Sequence, residues 1–350
     1  MKLFYRIAFI ASFTGLGFAL SSCGQQEAPS VTAGKMQVRG AGATFPAPLY
    51  EKWIETYGGQ NRELELRYES VGSGEGIKRF IAESVDFAAT DAAMKDSEIA
   101  QVKRGVRLVP ATAGMVVLAC NLWGVEEDLK LKRDVYVDIF AGKIRKWNDP
   151  RIKETNLDLV LPSMIITTVS RLDSSGTTYA LTNHLSAISA QWKEGPGAGK
   201  LIDWPGPTMV ARGNEGVAQR IKLSEGSIGY VEYGFAKRLG LRVAWLENKA
   251  GQFIKPDLQS GRVALTASSV DMPHALQLFL PDPDGEGCYP IVSFSWLLLY
   301  QQYPDSEKAK ALKDVVAWGL TEGQKYAAQL GYIPLPQNVV SRALEVVNRG

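Results

Sequence analysis

Leu64, Leu66 and Tyr68 alternate with Glu65 and Arg67, the period-two signature of a half-buried strand over residues 63–68. Other short apolar or β-branched runs predict strands at 35–39, 85–89, 107–109, 112–121, 165–169, 228–233 and 291–298. Between them the apolar period changes. Leu49, Trp53 and Ile54 share one side of a helix over 48–57, which Pro46 and Pro48 suit at its entry. Further helices are predicted over 77–83, 96–102, 135–141, 177–189, 217–222, 306–319, 324–331 and 338–347. Strands alternating with helices predict an α/β fold with largely parallel sheets. Ligands of such folds sit at the carboxyl ends of strands, beside helix starts.

Three of these strand-to-helix junctions share one design, rich in Gly, Ser and Thr. They are Arg39-Gly-Ala-Gly-Ala-Thr-Phe-Pro-Ala-Pro48, Ser70-Val-Gly-Ser-Gly-Glu-Gly-Ile77 and Ser170-Arg-Leu-Asp-Ser-Ser-Gly-Thr-Thr178. Each offers backbone N–H groups at a helix start with hydroxyls alongside, an arrangement that holds a small oxyanion. A fourth glycine-bearing helix entry is Arg212-Gly-Asn-Glu-Gly-Val217.

Composition narrows the function classes. The 350 residues are 45% hydrophobic and 22% charged, as expected for a globular chain with a sizeable core. A net charge of +2 without a long basic block argues against nucleic acid. Only two histidines, His184 and His274, are present, so histidine-based metal sites and triads are not expected. There is no Walker-type loop, no Gly-x-Ser-x-Gly elbow and no Cys/His ligand set. No catalytic residue, cofactor or metal is expected.

The first residues read as an export signal. Lys2 and Arg6 precede an apolar stretch over 7–20, and Leu20-Ser-Ser-Cys23 resembles a bacterial lipobox. On that reading, residues 1–22 are a lipoprotein signal peptide, Cys23 becomes the lipidated N-terminus, and 23–35 is a flexible tether. An ordinary secretory signal with an incidental cysteine is the alternative. Cys120 and Cys288 are either a disulfide pair or two buried thiols, and sequence gives no geometry to decide.

Thr44, Ser73, Ser175 and Thr177 each supply a hydroxyl at the three junctions, and Phe45 and Gly176 supply backbone N–H groups. Helix capping and ordinary turn geometry are the competing uses. Arg171 follows its strand directly and can grip two oxygens of an anion, with Asp173 holding the guanidinium from the side. A surface Arg–Asp pair is the alternative. Asp91 ends the run Val85-Asp-Phe-Ala-Ala-Thr90. A carboxylate beside an anion repels a fully deprotonated ligand and favours one carrying a proton. Phosphate carries protons at neutral pH and sulfate does not. Asp91 as a turn or helix cap is the competing reading.

Several motifs together resemble the phosphate-binding proteins of bacterial high-affinity phosphate ABC transporters. They are Gly40-Ala-Gly-Ala-Thr-Phe-Pro-Ala-Pro48, Val85-Asp-Phe-Ala-Ala-Thr-Asp91, Ala141-Gly-Lys-Ile-Arg-Lys-Trp147, Arg171-Leu-Asp-Ser-Ser-Gly-Thr177, Gly213-Asn-Glu-Gly216 and Gly229-Tyr-Val-Glu-Tyr233. The resemblance runs in order across about residues 38–233. It implies a two-lobed periplasmic-binding-protein fold (type II-like), with a ligand cleft between lobes joined by two hinge segments. Lobe 1 would comprise 36–113 plus 256–350, and lobe 2 would comprise 114–255. Inorganic phosphate would bind Thr44, Phe45, Ser73, Asp91, Arg171, Ser175, Gly176 and Thr177, with Asp173 orienting Arg171. The implied role is an extracytoplasmic receptor, not an enzyme, that delivers phosphate to a membrane permease and its ATPase. Two departures stand out. Ser174 occupies a position where many relatives have Gly, and Gly74-Glu75 follow Ser73 where relatives often have Ser and Gly. Glu75 is expected to face solvent. A sulfate or molybdate receptor and an exported phosphatase are rival readings. Asp91 argues against the first, and the absence of an activated nucleophile argues against the second.

Overall fold

The first strand, Met36–Gly42, pairs in parallel with Leu64–Ser70 on one side and Phe87–Thr90 on the other. It begins a curled sheet in the computed structural model, which describes residues 35–349 apart from 126, 270–272, 274 and 275. The expected signal, Cys23 and most of the tether lie outside the described residues, as does His274.

Two long strands cross the middle of this sheet. Val292–Tyr300 lies antiparallel to Phe87–Thr90 and to the first part of Val106–Cys120. From Val116 onward, the latter strand pairs antiparallel with Ser227–Glu232 instead. Thr167–Arg171 then runs parallel to Ser227–Glu232 and to Thr208–Ala211. The molecule is therefore two mainly parallel wings joined through antiparallel crossing strands. The expected parallel pattern holds in the wings. The centre differs because the crossing strands carry the chain between the wings in opposite directions.

Residues 107–109 and 112–121, read as two strands, are one. Pro110, which cannot donate to a ladder, lies between them. Here Trp296 faces Pro110 and Ser295 faces Thr112, which leaves Ala111 as the extra residue of a bulge. The Ala111 carbonyl accepts from Gln324 Nε2 at 2.9 Å, so the bulge is tied to the closing segment.

The second helix, Ser73–Ile81, starts four residues before its expected beginning. Gly74 and Gly76 are poor helix formers and masked the start. They are needed sterically, because a Cβ on Gly76 would collide with the backbone at Gly42. Gly72, at φ 96°, makes the turn that puts Ser73 at the first helical position. Ile77 and Phe80 are the buried face.

Other differences are peripheral. Helices Tyr233–Leu239 and Leu258–Ser269 and strand Thr208–Ala211 were not anticipated. Lys130–Leu131, Trp245–Glu247 and Phe253–Ile254 form a separate small sheet. Cys120 and Cys288 are separate buried thiols, and burial pushes the Cys120 thiol up to about 12. Among the described residues, no helix is long and apolar enough to cross a membrane.

Candidate anion site

The ends of the inner strands, with the helix starts that follow them, meet where the two wings face each other. Thr44 and Phe45 follow the first strand, Ser73 opens the second helix, and Asp91 follows Phe87–Thr90. From the other wing come Arg171, ending its strand, and Ser175, Gly176 and Thr177 at the start of helix Gly176–Ile188. All eight are buried or nearly so. The hydrophobic frame explains their positions. The Phe45 ring packs against Gly114 of the crossing strand, and the Phe45 carbonyl accepts from Tyr332 at 2.7 Å.

Arg171 is 3% exposed. Its Nε donates to Asp173 Oδ1 at 2.8 Å, and Nη2 donates to Asp173 Oδ2. The pair is buried, not the exposed surface pair of the alternative reading. Asp173 also accepts from the Gly213 N–H at 3.0 Å. Burial pulls the Asp173 carboxyl upward, but the Arg171 hydrogen bonds and charge outweigh it and hold the carboxyl below its usual value. Nη1 of Arg171 reaches Thr177 Oγ1 at 3.4 Å. Tyr230, whose hydroxyl accepts from the Arg171 N–H at 3.1 Å, fixes the backbone there.

Asp91 is the counterpart in the opposite wing. Its Oδ1 accepts from Ser295 Oγ at 2.8 Å, and Ser73 Oγ lies 3.5 Å from Oδ2. Burial pushes the carboxyl up from 3.8 to about 7, against the downward pull of Ser295, Arg171 and Ser73. It is therefore poised to hold or share a proton near neutral pH. The Ser73 hydroxyl joins the wings, accepting from the Gly176 N–H at 3.1 Å and the Asp91 N–H at 3.3 Å. A Cβ on Gly176 would come within 2.6 Å of both Asp91 Cβ and Ser73 Oγ, so no larger residue fits there.

Ser175 serves its own helix: its hydroxyl accepts from the Thr178 N–H at 3.1 Å. Capping and anion contact compete for that oxygen, as its sequence context allowed. Glu75 turns away toward Arg79, at 2.9 Å, with its side chain 41% exposed.

Residues 25–322 match the model of a PBP superfamily domain. The chain is 38% identical over 314 residues to the phosphate-binding protein PstS of Pasteurella multocida, covering 89% of this chain and 90% of that protein. It is 39% identical over 305 residues to phosphate-binding protein PstS of Haemophilus influenzae, covering 87% and 90%. The chain belongs to the PstS family of phosphate-binding proteins. Solved structures agree at the level of fold. One is a high-affinity periplasmic phosphate-binding protein bound with phosphate (20% identity, 87% and 92% covered, TM-score 0.70). Another is a phosphate-binding protein from Stenotrophomonas maltophilia (18% identity, 89% and 93% covered, TM-score 0.70). The architecture is accordingly the two-lobed periplasmic-binding-protein fold.

Sequence reasoning missed three residues at this family's cleft. Asn214 bridges Thr44 and Thr177, with Nδ2 at 2.9 and 3.1 Å from their hydroxyls. Ser295 holds Asp91, and Tyr230 holds the Arg171 backbone. Asn214 and Tyr230 lay within motifs that carried the family resemblance, so a signal existed. Ser295 sits in an apolar strand and carried none.

Proposed function

We infer that this chain is an extracytoplasmic receptor that captures inorganic phosphate and hands it to the permease of an ABC transporter. It does no covalent chemistry. We assign the ligand to Thr44, Phe45, Ser73, Asp91, Arg171, Ser175, Gly176 and Thr177, with Asp173 as the brace for Arg171. The observation that carries this reading is the pairing of a buried guanidinium with a buried carboxyl of raised pKa. A guanidinium suits a tetrahedral anion, and the carboxyl, when ionised, favours an anion that brings a proton. Helix starts and hydroxyls surround the same point.

The lobes we propose are 36–113 plus 256–350 and 114–255. Support comes from the change of strand partner at Met115 and Val116. Residues 281–288 are strapped back onto the second lobe through Arg133–Asp282, His184–Pro281 and Asn248–Cys288. Anchoring through a lipid on Cys23 is a further part of the proposal. Its support is the Leu20-Ser-Ser-Cys23 motif behind a basic, then apolar, start.

Titration calorimetry with phosphate and sulfate tests the reading. We expect phosphate to bind with at least micromolar affinity, about −8 kcal/mol, and sulfate far more weakly. Equal affinities would remove the proton-selection argument. Hydrolysis of a chromogenic phosphate ester would return the phosphatase as a reading.

A further inference from the structure

The hydroxyl groups of this site are not free to choose their roles. A hydroxyl has one proton to donate and two lone pairs to accept with. Thr44 Oγ1 accepts from the Asn214 N–H at 3.1 Å and from Asn214 Nδ2 at 2.9 Å. Thr177 Oγ1 accepts from Asn214 Nδ2 at 3.1 Å and from Arg171 Nη1 at 3.4 Å. Both threonines thus have their accepting capacity filled. The amide end that faces them is fixed, because Asn214 Oδ1 accepts from the Glu232 N–H at 2.9 Å. Turned over, the amide would set oxygen against two hydroxyls and its NH2 against an N–H donor.

We propose that Asn214 is a positioning residue that makes Thr44 and Thr177 obligate donors to the bound oxyanion. The residue is buried and comes from a helix start of the second lobe, yet it bonds Thr44 of the first. It therefore sets hydrogen positions on both sides of the cleft at once, and does so only when the lobes meet. Ser73 is arranged likewise, its oxygen accepting from the Gly176 and Asp91 N–H groups. Thr44, Ser73 and Thr177 are thus left to donate, Ser73 lying 3.5 Å from Asp91 Oδ2, and Asp91 keeps the accepting role. Such a site takes an oxyanion whose oxygens mostly accept and of which one carries a proton. This inference rests on the phosphate reading above.

The test is phosphate affinity of the full mature chain at pH 6 and pH 8 for Asn214→Asp and Asn214→Ala, with Thr44→Val and Thr177→Val alongside. Asn214→Asp keeps the shape and the acceptor to Glu232 but replaces the donor by an acceptor. We expect it to weaken phosphate about 100-fold at pH 8, since two donors to a charged ligand turn away. Part of that loss should return at pH 6, because a protonated carboxyl can donate again. Asn214→Ala should lose about 10-fold at both pH values, and each valine variant a similar factor. A folded Asn214→Asp protein that binds phosphate within about threefold of the parent at pH 8, or whose loss equals that of Asn214→Ala at both pH values, overturns the proposal. If the Asn214 variants do not fold, unchanged affinity in both valine variants overturns it. A parent chain that ignores phosphate altogether refutes instead the reading on which the proposal stands.

Discussion

Asp91 is a carboxyl that the fold makes costly on purpose. Its native pKa is raised to about 7, whereas an unfolded aspartate titrates near 3.8. Between those values the folded chain holds the proton and the unfolded chain does not. The contribution to stability is therefore fully present at low pH and is lost as pH rises through about 7. Asp91→Asn removes this dependence. In the ligand-free protein, the variant should gain stability relative to the parent as pH goes from 5 to 8. The two pH units between 5 and about 7 set a ceiling of about 3 kcal/mol on that gain. Glu232, buried with its carboxyl pushed up to about 8, titrates in both proteins, and because the Asp91 charge contributes to that rise it cancels only in part in the difference. Urea unfolding at the two pH values measures it; a constant difference between parent and variant would refute the account. The same substitution should narrow the preference for phosphate over sulfate more than it lowers anion affinity as such, because the replacement amide no longer repels a fully deprotonated ligand.

Two loops meet across the cleft as a knob and a hole. Gly74 N–H donates to the Ser174 carbonyl at 3.0 Å, and a Cβ on Gly74 would collide with the Ser174 hydroxymethyl group. Gly74 and Ser174, both singled out from the sequence, thus fit each other across the cleft. Gly74→Ser should obstruct closure and weaken phosphate about 10-fold or more, the cost of overpacking a fitted contact. Adding Ser174→Gly should restore most of it. Calorimetry on the single and double variants reads the coupling, and additive losses would show that the two positions act independently. This pairing illustrates what sequence could carry. The three glycine-rich junctions were legible because each is local, a strand end followed by a helix start. Arg171 and Asp173 were legible because two residues of separation bring their side chains together. Asn214 was not singled out, since an asparagine at a helix start reads as a cap. Its partners lie 170 and 37 residues away in the chain. Ser295 was invisible for a related reason, as nothing local marks which strand residue faces Asp91.

Across the whole molecule, the site is sealed by the contact between lobes. Outside it lies a groove of about 1690 Å³ that reaches Thr44, Gly74, Ser174 and Asn214 but not Ser73, Asp91 or Thr177. On the assignment proposed above, phosphate would reach the Asp91 carboxyl only when the lobes part. At the cleft, parting them breaks the Gly74–Ser174 bond, the Asn214–Thr44 bonds, the Gly176–Ser73 bond and the Lys200–Glu98 ion pair at 2.8 Å. That pair sits at the rim, its side chains 15% and 22% exposed, so it is screened less than a surface bridge. Ligand contacts made from both lobes favour the closed state, and apparent affinity scales with the fraction of molecules able to close. Lys200→Glu puts like charges face to face at this rim; Lys200 meets Ser175 through its backbone carbonyl, at 2.7 Å, which the substitution keeps. It should shift the ligand-free protein toward the open form and lower phosphate affinity about 5- to 10-fold, which is the size of a partly buried charge pair turned repulsive. Small-angle scattering should show a larger radius of gyration for the ligand-free variant than for the ligand-free parent, with the two converging once phosphate saturates. If phosphate leaves the radius of both proteins unchanged, closure is not coupled to binding, and the rim pair is merely a surface contact.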